Sequence, residues 1–250
     1  MKKILILLGA LTVLSTTALG NKTGVGLGVG VANSLYKGID SKAYPIPLFD
    51  IEYGNFYVAG TDIGYKMWQN DMYTLSFFAN PLEGYRVKAS DMEEGYKDIE
   101  DRDLQFMGGL RLDADTGLMG IKTAVALSGG QHGAKGRLGF YKPYSVTEKF
   151  VIVPGIHSIY YSKDFTDYYF GVDSKELGSN RKDNYKLTST YSPDSAYSVG
   201  INIVGEYRFR DNLAMSFFVG AEKFSKEIGD SPLVDEDYII MGGTGIKYYF

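Results

Sequence analysis

The chain closes on a segment, Tyr238 to Phe250, whose side chains alternate without a break. Tyr238, Ile240, Gly242, Thr244, Ile246, Tyr248 and Phe250 share one face, and Met241, Gly243, Gly245, Lys247 and Tyr249 the other. The same period of two recurs along the chain. Val25, Leu27, Val29 and Val31 oppose Gly24, Gly26, Gly28 and Gly30. Leu104, Phe106, Leu110 and Leu112 oppose Gln105, Gly109, Arg111 and Asp113. Ile201, Ile203, Tyr207 and Phe209 oppose Asn202, Glu206 and Arg208, and Leu213, Met215, Phe217 and Val219 oppose Ala214, Ser216 and Glu222. A chain of this kind is all-β. It must also pair its sheet edges somehow, and with no Cys there is no disulfide to help.

The first residues narrow the choice. Lys2 and Lys3 precede an apolar run from Ile4 to Leu14, followed by Ser-Thr-Thr-Ala18-Leu19-Gly20, the layout of a cleaved export signal. That run is shorter than the roughly 20 residues a spanning helix needs, and no later stretch comes closer. The expected domains are residues 1–20, a signal peptide, and residues 21–250. Loss of Lys2 and Lys3 takes the formal charge from −4 to −6, which argues against a nucleic-acid partner. The 21 Tyr and 14 Phe suit strands and interfacial aromatic girdles. A terminal Phe with Tyr two residues before it resembles the closing strand of bacterial outer-membrane barrels, which the barrel-assembly machinery recognises. Tyr248 and Phe250 are the expected assembly signal. Alternation alone leaves open which face meets lipid. The export signal and terminal Phe select apolar outward and polar inward, in a closed antiparallel transmembrane β-barrel.

Further strands are expected over Pro45–Tyr53, Asn55–Lys66, Met72–Ala79, Gly117–Ser128, Ala134–Tyr141 and Glu148–Tyr161, which makes eleven. A barrel with both termini on one side needs an even number. Splitting Asn55–Lys66 at Gly60-Thr-Asp62 gives twelve, and ten remain if that region lies outside the wall. Long polar connections fall at Asn33–Tyr44, Pro81–Asp101, Lys163–Ser195 and Ser225–Asp237, with short turns between the other strands.

Tyr36-Lys-Gly38, Pro45-Ile-Pro47-Leu48 and Tyr53-Gly-Asn-Phe-Tyr57, then Tyr168-Tyr-Phe-Gly-Val172, Ser231-Pro-Leu-Val-Asp235 and the closing Gly245–Phe250, follow in order across the mature chain. Together they resemble the MipA/OmpV family of outer-membrane proteins. The resemblance implies a barrel in the cell outer membrane that is not an enzyme and has no cofactor. It also implies a scaffold for murein (peptidoglycan) remodelling enzymes, a lytic murein transglycosylase and a murein synthase. The alternatives are a narrow channel for small solutes or ions and a surface adhesin acting through the 163–195 loop with Tyr168, Tyr169 and Phe170. Outer-membrane lipid and the assembly machinery are the general partners.

Little in the chain could carry catalysis. His157 and Ser158 are adjacent in an expected strand, so they point to opposite faces and cannot share a proton. Phe150, Ile152, Ile156 and Tyr160 set the outward phase, which turns His157 inward. His132 reads as an exposed residue of the Ser128–Gly133 turn. The acidic run Asp91–Asp103 holds seven carboxylates without the ordered spacing of a Ca²⁺ loop, and reads as solvated. The four glycines of Gly24–Gly30 lie on one face, which points to close packing or curvature of the wall rather than a phosphate loop. The expected lumen-lining residues are Arg111, Lys122, His157, Glu206 and Arg208, whose mixed charges can pair across a narrow interior or line a selective pore.

Overall fold

The computed structural model describes residues 23–178 and 185–250, apart from the side chain of Lys42. Residues 1–20, the expected signal peptide, lie outside the described part. Thirteen strand segments run in chain order: β1 Gly24–Ala32, β2 Lys42–Tyr53, β3 Phe56–Ala59, β4 Asp62–Gln69, β5 Tyr73–Glu83, β6 Gln105–Asp115, β7 Lys122–Gly130, β8 Gly133–Tyr141, β9 Tyr144–Thr147, β10 Phe150–Tyr161, β11 Ala196–Arg210, β12 Leu213–Phe224 and β13 Tyr238–Tyr249. Each pairs antiparallel with its neighbour, and β13 returns to pair with β1, so the sheet closes. β8 and β9 are halves of a single wall strand. Both pair with β10, and they are parted where Lys142-Pro143 passes Pro154, two residues with no N–H for the ladder. The wall therefore has twelve strands, all antiparallel.

The expected split is present. β3 and β4 are joined by the two-residue turn Gly60-Thr61, where Gly60 takes φ 60°. β3 has only four residues beside the twelve of β2, so this hairpin turns partway up the wall.

The outward face carries Leu27, Val29, Val31, Phe77, Phe106, Leu127, Ile156, Ile201, Val219 and Ile240, all exposed. The inward face carries Arg111, His157, Ser198, Glu206, Glu222 and Lys247, all buried. Apolar outward and charged inward is the inverse of a water-soluble domain and the pattern of a lipid-embedded barrel. Where β1 meets β13 the two strands approach closely. A β-carbon at Gly26 would lie 2.2 Å from the Ile246 carbonyl oxygen, and one at Gly28 would lie 2.6 Å from that of Thr244. The glycine face of β1 is thus a requirement of barrel closure.

The turns at 54–55, 70–72, 116–121, 148–149 and 211–212 gather at one end with Thr23 and Phe250, while 33–41, 84–104, the short 131–132 turn, the segment after Tyr161 and 225–237 gather at the other. The long connections fold together over the barrel mouth. Helix α1, Lys163–Phe170, is capped by Ser162, whose hydroxyl accepts from the Phe165 N–H, and a short helix α2 spans Lys226–Gly229. Isolated bridges Tyr36↔Val234, Val87↔Arg102 and Val172↔Tyr191 tie these segments together.

Candidate functional site: the lumen, its cap and the short-turn mouth

Three zones lie along the barrel axis. The first is a cap with an apolar interior. Leu35, Tyr36, Val87, Met92, Phe165, Tyr169, Phe170, Ile228 and Leu233 are buried together there, continuous with Tyr161 and Phe224 at the strand ends. Tyr36 stacks on Phe170 with ring centroids 5.6 Å apart, and Tyr85 meets Phe165, Tyr169 and Phe170 at 5.3–6.4 Å. The Tyr36 hydroxyl donates to the Tyr169 carbonyl at 3.0 Å, and Tyr169 donates to the Asp103 carbonyl at 3.0 Å. Burial among these rings raises the phenols of Tyr36, Tyr85 and Tyr169 well above their ordinary value.

A buried ion pair holds two of the cap segments together. Arg102 reaches Glu176 at 2.9 Å and also donates to the Gly171 and Glu100 carbonyls. Glu176 in turn accepts from the backbone N–H of Glu100 at 2.7 Å and of Asp173 at 2.9 Å. Both oxygens of the carboxylate are thus engaged, while the buried Arg102 Nε has no hydrogen-bond partner.

The cap changes several expectations. Tyr169 and Phe170 are 0 % exposed, so they are not available to an outside surface, and Tyr168 is half-buried. His132 is not a free loop residue: its ring stacks on Tyr168 at 3.5 Å, and its backbone N–H donates to Gln105 Oε1 at 2.8 Å. The acidic run is folded into the cap through buried Met92 and Ile99, with Glu100 paired to Lys175 and Glu93 to Lys186. Among the described residues no group of three or more His, Cys, Asp or Glu side chains could hold a metal ion.

The second zone is the lumen, where charges pair along the wall, within one strand or between strands two apart. Arg111 donates to both oxygens of Asp113, at 2.7 and 2.8 Å. Glu206 takes Lys247 at 3.2 Å, the Tyr249 hydroxyl at 2.5 Å and, more loosely, Arg208 at 3.6 Å. His157 lies 3.7 Å from Glu222, whose other oxygen accepts from Ser198 at 2.5 Å and from Tyr161 at 3.2 Å. Lys122 lines the third zone. Arg111 and Lys122 thus belong to one side of the interior, and Glu206, Arg208 and His157 to the β10–β13 side. Sequence reasoning missed Asp62, Asn80, Glu83 and Lys135, which join in a network behind β4 and β5. The alternation of Lys135 and Arg137 against Leu138 and Phe140 already carried the phase that turns Lys135 inward.

The third zone opens at the short-turn end. A cavity of about 250 Å³ there is lined by Asp50, Glu52, Lys66, Asp71, Asp113, Asp115 and Lys122, with Tyr57, Tyr73 and Tyr141. Lys66 bridges to Glu52 at 3.0 Å across its rim. Its carboxylates outnumber its cations, and its walls are polar.

A closed twelve-stranded barrel, apolar outside and charged inside, with long connections at one end and tight turns at the other, is a transmembrane barrel of the bacterial outer-membrane class. The sequence matches the family model described as "MltA-interacting protein MipA" over residues 25–250, and the chain belongs to that family. It is 30% identical to the "24 kDa outer membrane protein" of Pasteurella multocida (strain Pm70), over 95% of this chain and 94% of that one. It is 27% identical to the "MltA-interacting protein" of Escherichia coli (strain K12), over 96% of this chain and 97% of that one. Among solved structures, the NanC porin covers 90% of this chain and 100% of its own at 7% identity, with a TM-score of 0.49. The protein resides in the outer membrane. Its short-turn mouth therefore faces the periplasm and its cap the outside.

Proposed function

We propose that this chain is a non-enzymatic outer-membrane scaffold that docks murein-remodelling enzymes, a lytic transglycosylase and a murein synthase, at its periplasmic end. The observation that carries the reading is family membership over nearly the whole chain, together with the printed name of the Escherichia coli relative, "MltA-interacting protein". The geometry is consistent with it. The outer end is filled by the cap, which leaves the polar mouth and the turns around it as the surface on the murein side. In the same reading residues 1–20 are the cleaved export signal, and Tyr248 and Phe250 address the chain to the assembly machinery.

His157 and its neighbours are not set out as an acyl-transfer triad. In an acyl-transfer triad the imidazole stands between hydroxyl and carboxylate. Here the Ser198 hydroxyl bonds Glu222 directly, and His157 sits to the side. Ser158 faces away and donates to the Ser198 carbonyl at 2.9 Å. The test is crosslinking in intact cells, detergent extraction of the outer membrane and mass spectrometry of the co-purifying proteins. A transglycosylase or murein synthase is expected, and its recovery should fall when the 70–72 and 116–121 turns are replaced. Recovery of lipid and assembly machinery alone would overturn the scaffold.

A further inference from the structure

The half-height hairpin leaves the wall incomplete. β2 pairs with β3 only over Asp50–Tyr53, and β4 pairs with β5 only as far as Ala79. Above the Gly60-Thr61 turn, β2 from Ala43 to Phe49 and β5 from Asn80 to Glu83 have no strand between them and do not pair with each other. Two strand positions, each about 4.8 Å wide, are missing there. The gap lies within the apolar band, because Val31, Val29 and Leu27, all exposed, sit directly opposite Ala43, Pro45 and Pro47 in the β1–β2 register.

An open edge in hydrocarbon would leave backbone donors without partners, each costing several kcal/mol by order of magnitude. The backbone groups of odd-numbered β2 residues point to the β3 side. Phe49 shows it, accepting from the Gly60 N–H at 3.0 Å, while Glu52 bonds Thr23 on the β1 side. The next gap-facing residues above Phe49 are Pro47 and Pro45, which have no N–H. Across the gap, Ala79 is the last β5 residue paired to β4, and Pro81 follows it in the bulge between Asn80 and Glu83. Three of the chain's seven prolines thus border this gap and strip donors from both rims. The lower rim is fixed, since the Asn80 side chain donates to Thr61 at 2.9 Å and to Asp62 at 2.8 Å. The rim that remains on β2 carries the carbonyls of Ala43, Pro45 and Pro47 with Ala43 alone keeping an N–H, and half-buried Ile46 and Leu48 lie just inside.

We propose that this gap is a lateral portal to the outer leaflet, and that it seats an acyl chain carrying amide or hydroxyl donors, as the chains of lipopolysaccharide do. The donors meet the carbonyls of Ala43, Pro45 and Pro47, and the chain lies against Ile46 and Leu48. A simple glycerophospholipid chain offers no donor there.

The chain has no Cys, so one introduced Cys gives one label. A nitroxide at Ile46→Cys, inward-facing, is compared with Val29→Cys on the outer face and Val204→Cys inside the intact wall. Collision with lipid-soluble oxygen is read in vesicles of lipopolysaccharide with phosphatidylethanolamine, and in vesicles of phosphatidylcholine alone. The expected result is oxygen access at 46 close to that at 29 and well above that at 204, with the label slowed in the lipopolysaccharide vesicles only. Access at 46 no greater than at 204 would overturn the portal, and equal mobility in both vesicles would overturn the donor-bearing occupant. A label at Leu48→Cys reports the same face should the first variant fail to fold.

Discussion

The cap and the barrel beneath it are built from one chain on opposite plans. In the cap, rings of Tyr36, Phe165, Tyr169 and Phe170 fill the interior, and the charges of Glu93, Lys175 and Lys186 lie at the surface. A few residues away, Arg111, Glu206, Glu222 and Lys247 fill the inside, and Leu27, Ile156 and Ile201 face out. The difference follows from the solvent. The cap is bathed in water and gains by hiding apolar area, whereas the wall is bathed in lipid and must turn its polar groups inward. Equivalent substitutions should therefore have opposite consequences in the two regions.

The strongest break in that contrast is at a place where the cap hides charge. Glu176→Ala leaves the Arg102 guanidinium buried with carbonyl partners only, and should destabilise the cap by about 3–5 kcal/mol. Limited proteolysis of the 84–104 and 162–178 segments reads the loss, while the barrel keeps its heat-modifiable migration on gels. Glu206→Ala removes a lumenal carboxylate with as many partners and should leave the cap untouched. If both variants open the cap equally, the two regions are not independent.

A charge on the wall is the converse experiment. Leu27→Arg places a guanidinium on the lipid face and should cost about 2–4 kcal/mol if the site is near the midplane. Refolding into vesicles across a urea gradient measures it. An apolar substitution at the same place, Leu27→Ile, should be nearly silent.

The contrast also explains what was legible in the sequence. Wall strands show in the alternation itself, since every second side chain must be apolar and nothing else is required of it. The parity argument even located the turn at Gly60-Thr61. The cap was not legible. Tyr168-Tyr-Phe170 reads the same whether those rings meet a partner or fold back upon Tyr36 and Tyr85, because the deciding contacts join residues far apart in the chain, as the Tyr36–Tyr169 bond does with a separation of 133. The paired prolines 45 and 47 stood out only as part of a family pattern. Their physical role appears when the strand beside them proves to have four residues against the twelve of β2.

A finer test removes one atom from the cap. Tyr36→Phe keeps the stack on Phe170 and deletes the hydroxyl that donates to the Tyr169 carbonyl. The loss should be about 1 kcal/mol, the ordinary net worth of a hydrogen bond plus part of the cost of an unpaired acceptor. Proteolysis rates of the same loop segments should move slightly, well short of the Glu176→Ala effect.

The mildest perturbation needs no mutation. Tyr36, Tyr85 and Tyr169 are held neutral by burial, with folded values above the ordinary 10.0. Once the cap opens, these phenols titrate at that ordinary value, so above it the open state binds fewer protons than the closed one. Stability then falls as pH rises. The stability these groups contribute is complete below pH 10, and is lost as pH climbs toward their folded values. Ultraviolet titration at alkaline pH should show the cap phenols ionising only as loop proteolysis accelerates. Exposed pairs such as Lys175–Glu100 are screened by salt far more than buried ones, so a cap that loosens with added salt at neutral pH would place its stability in ion pairs instead of in the buried rings.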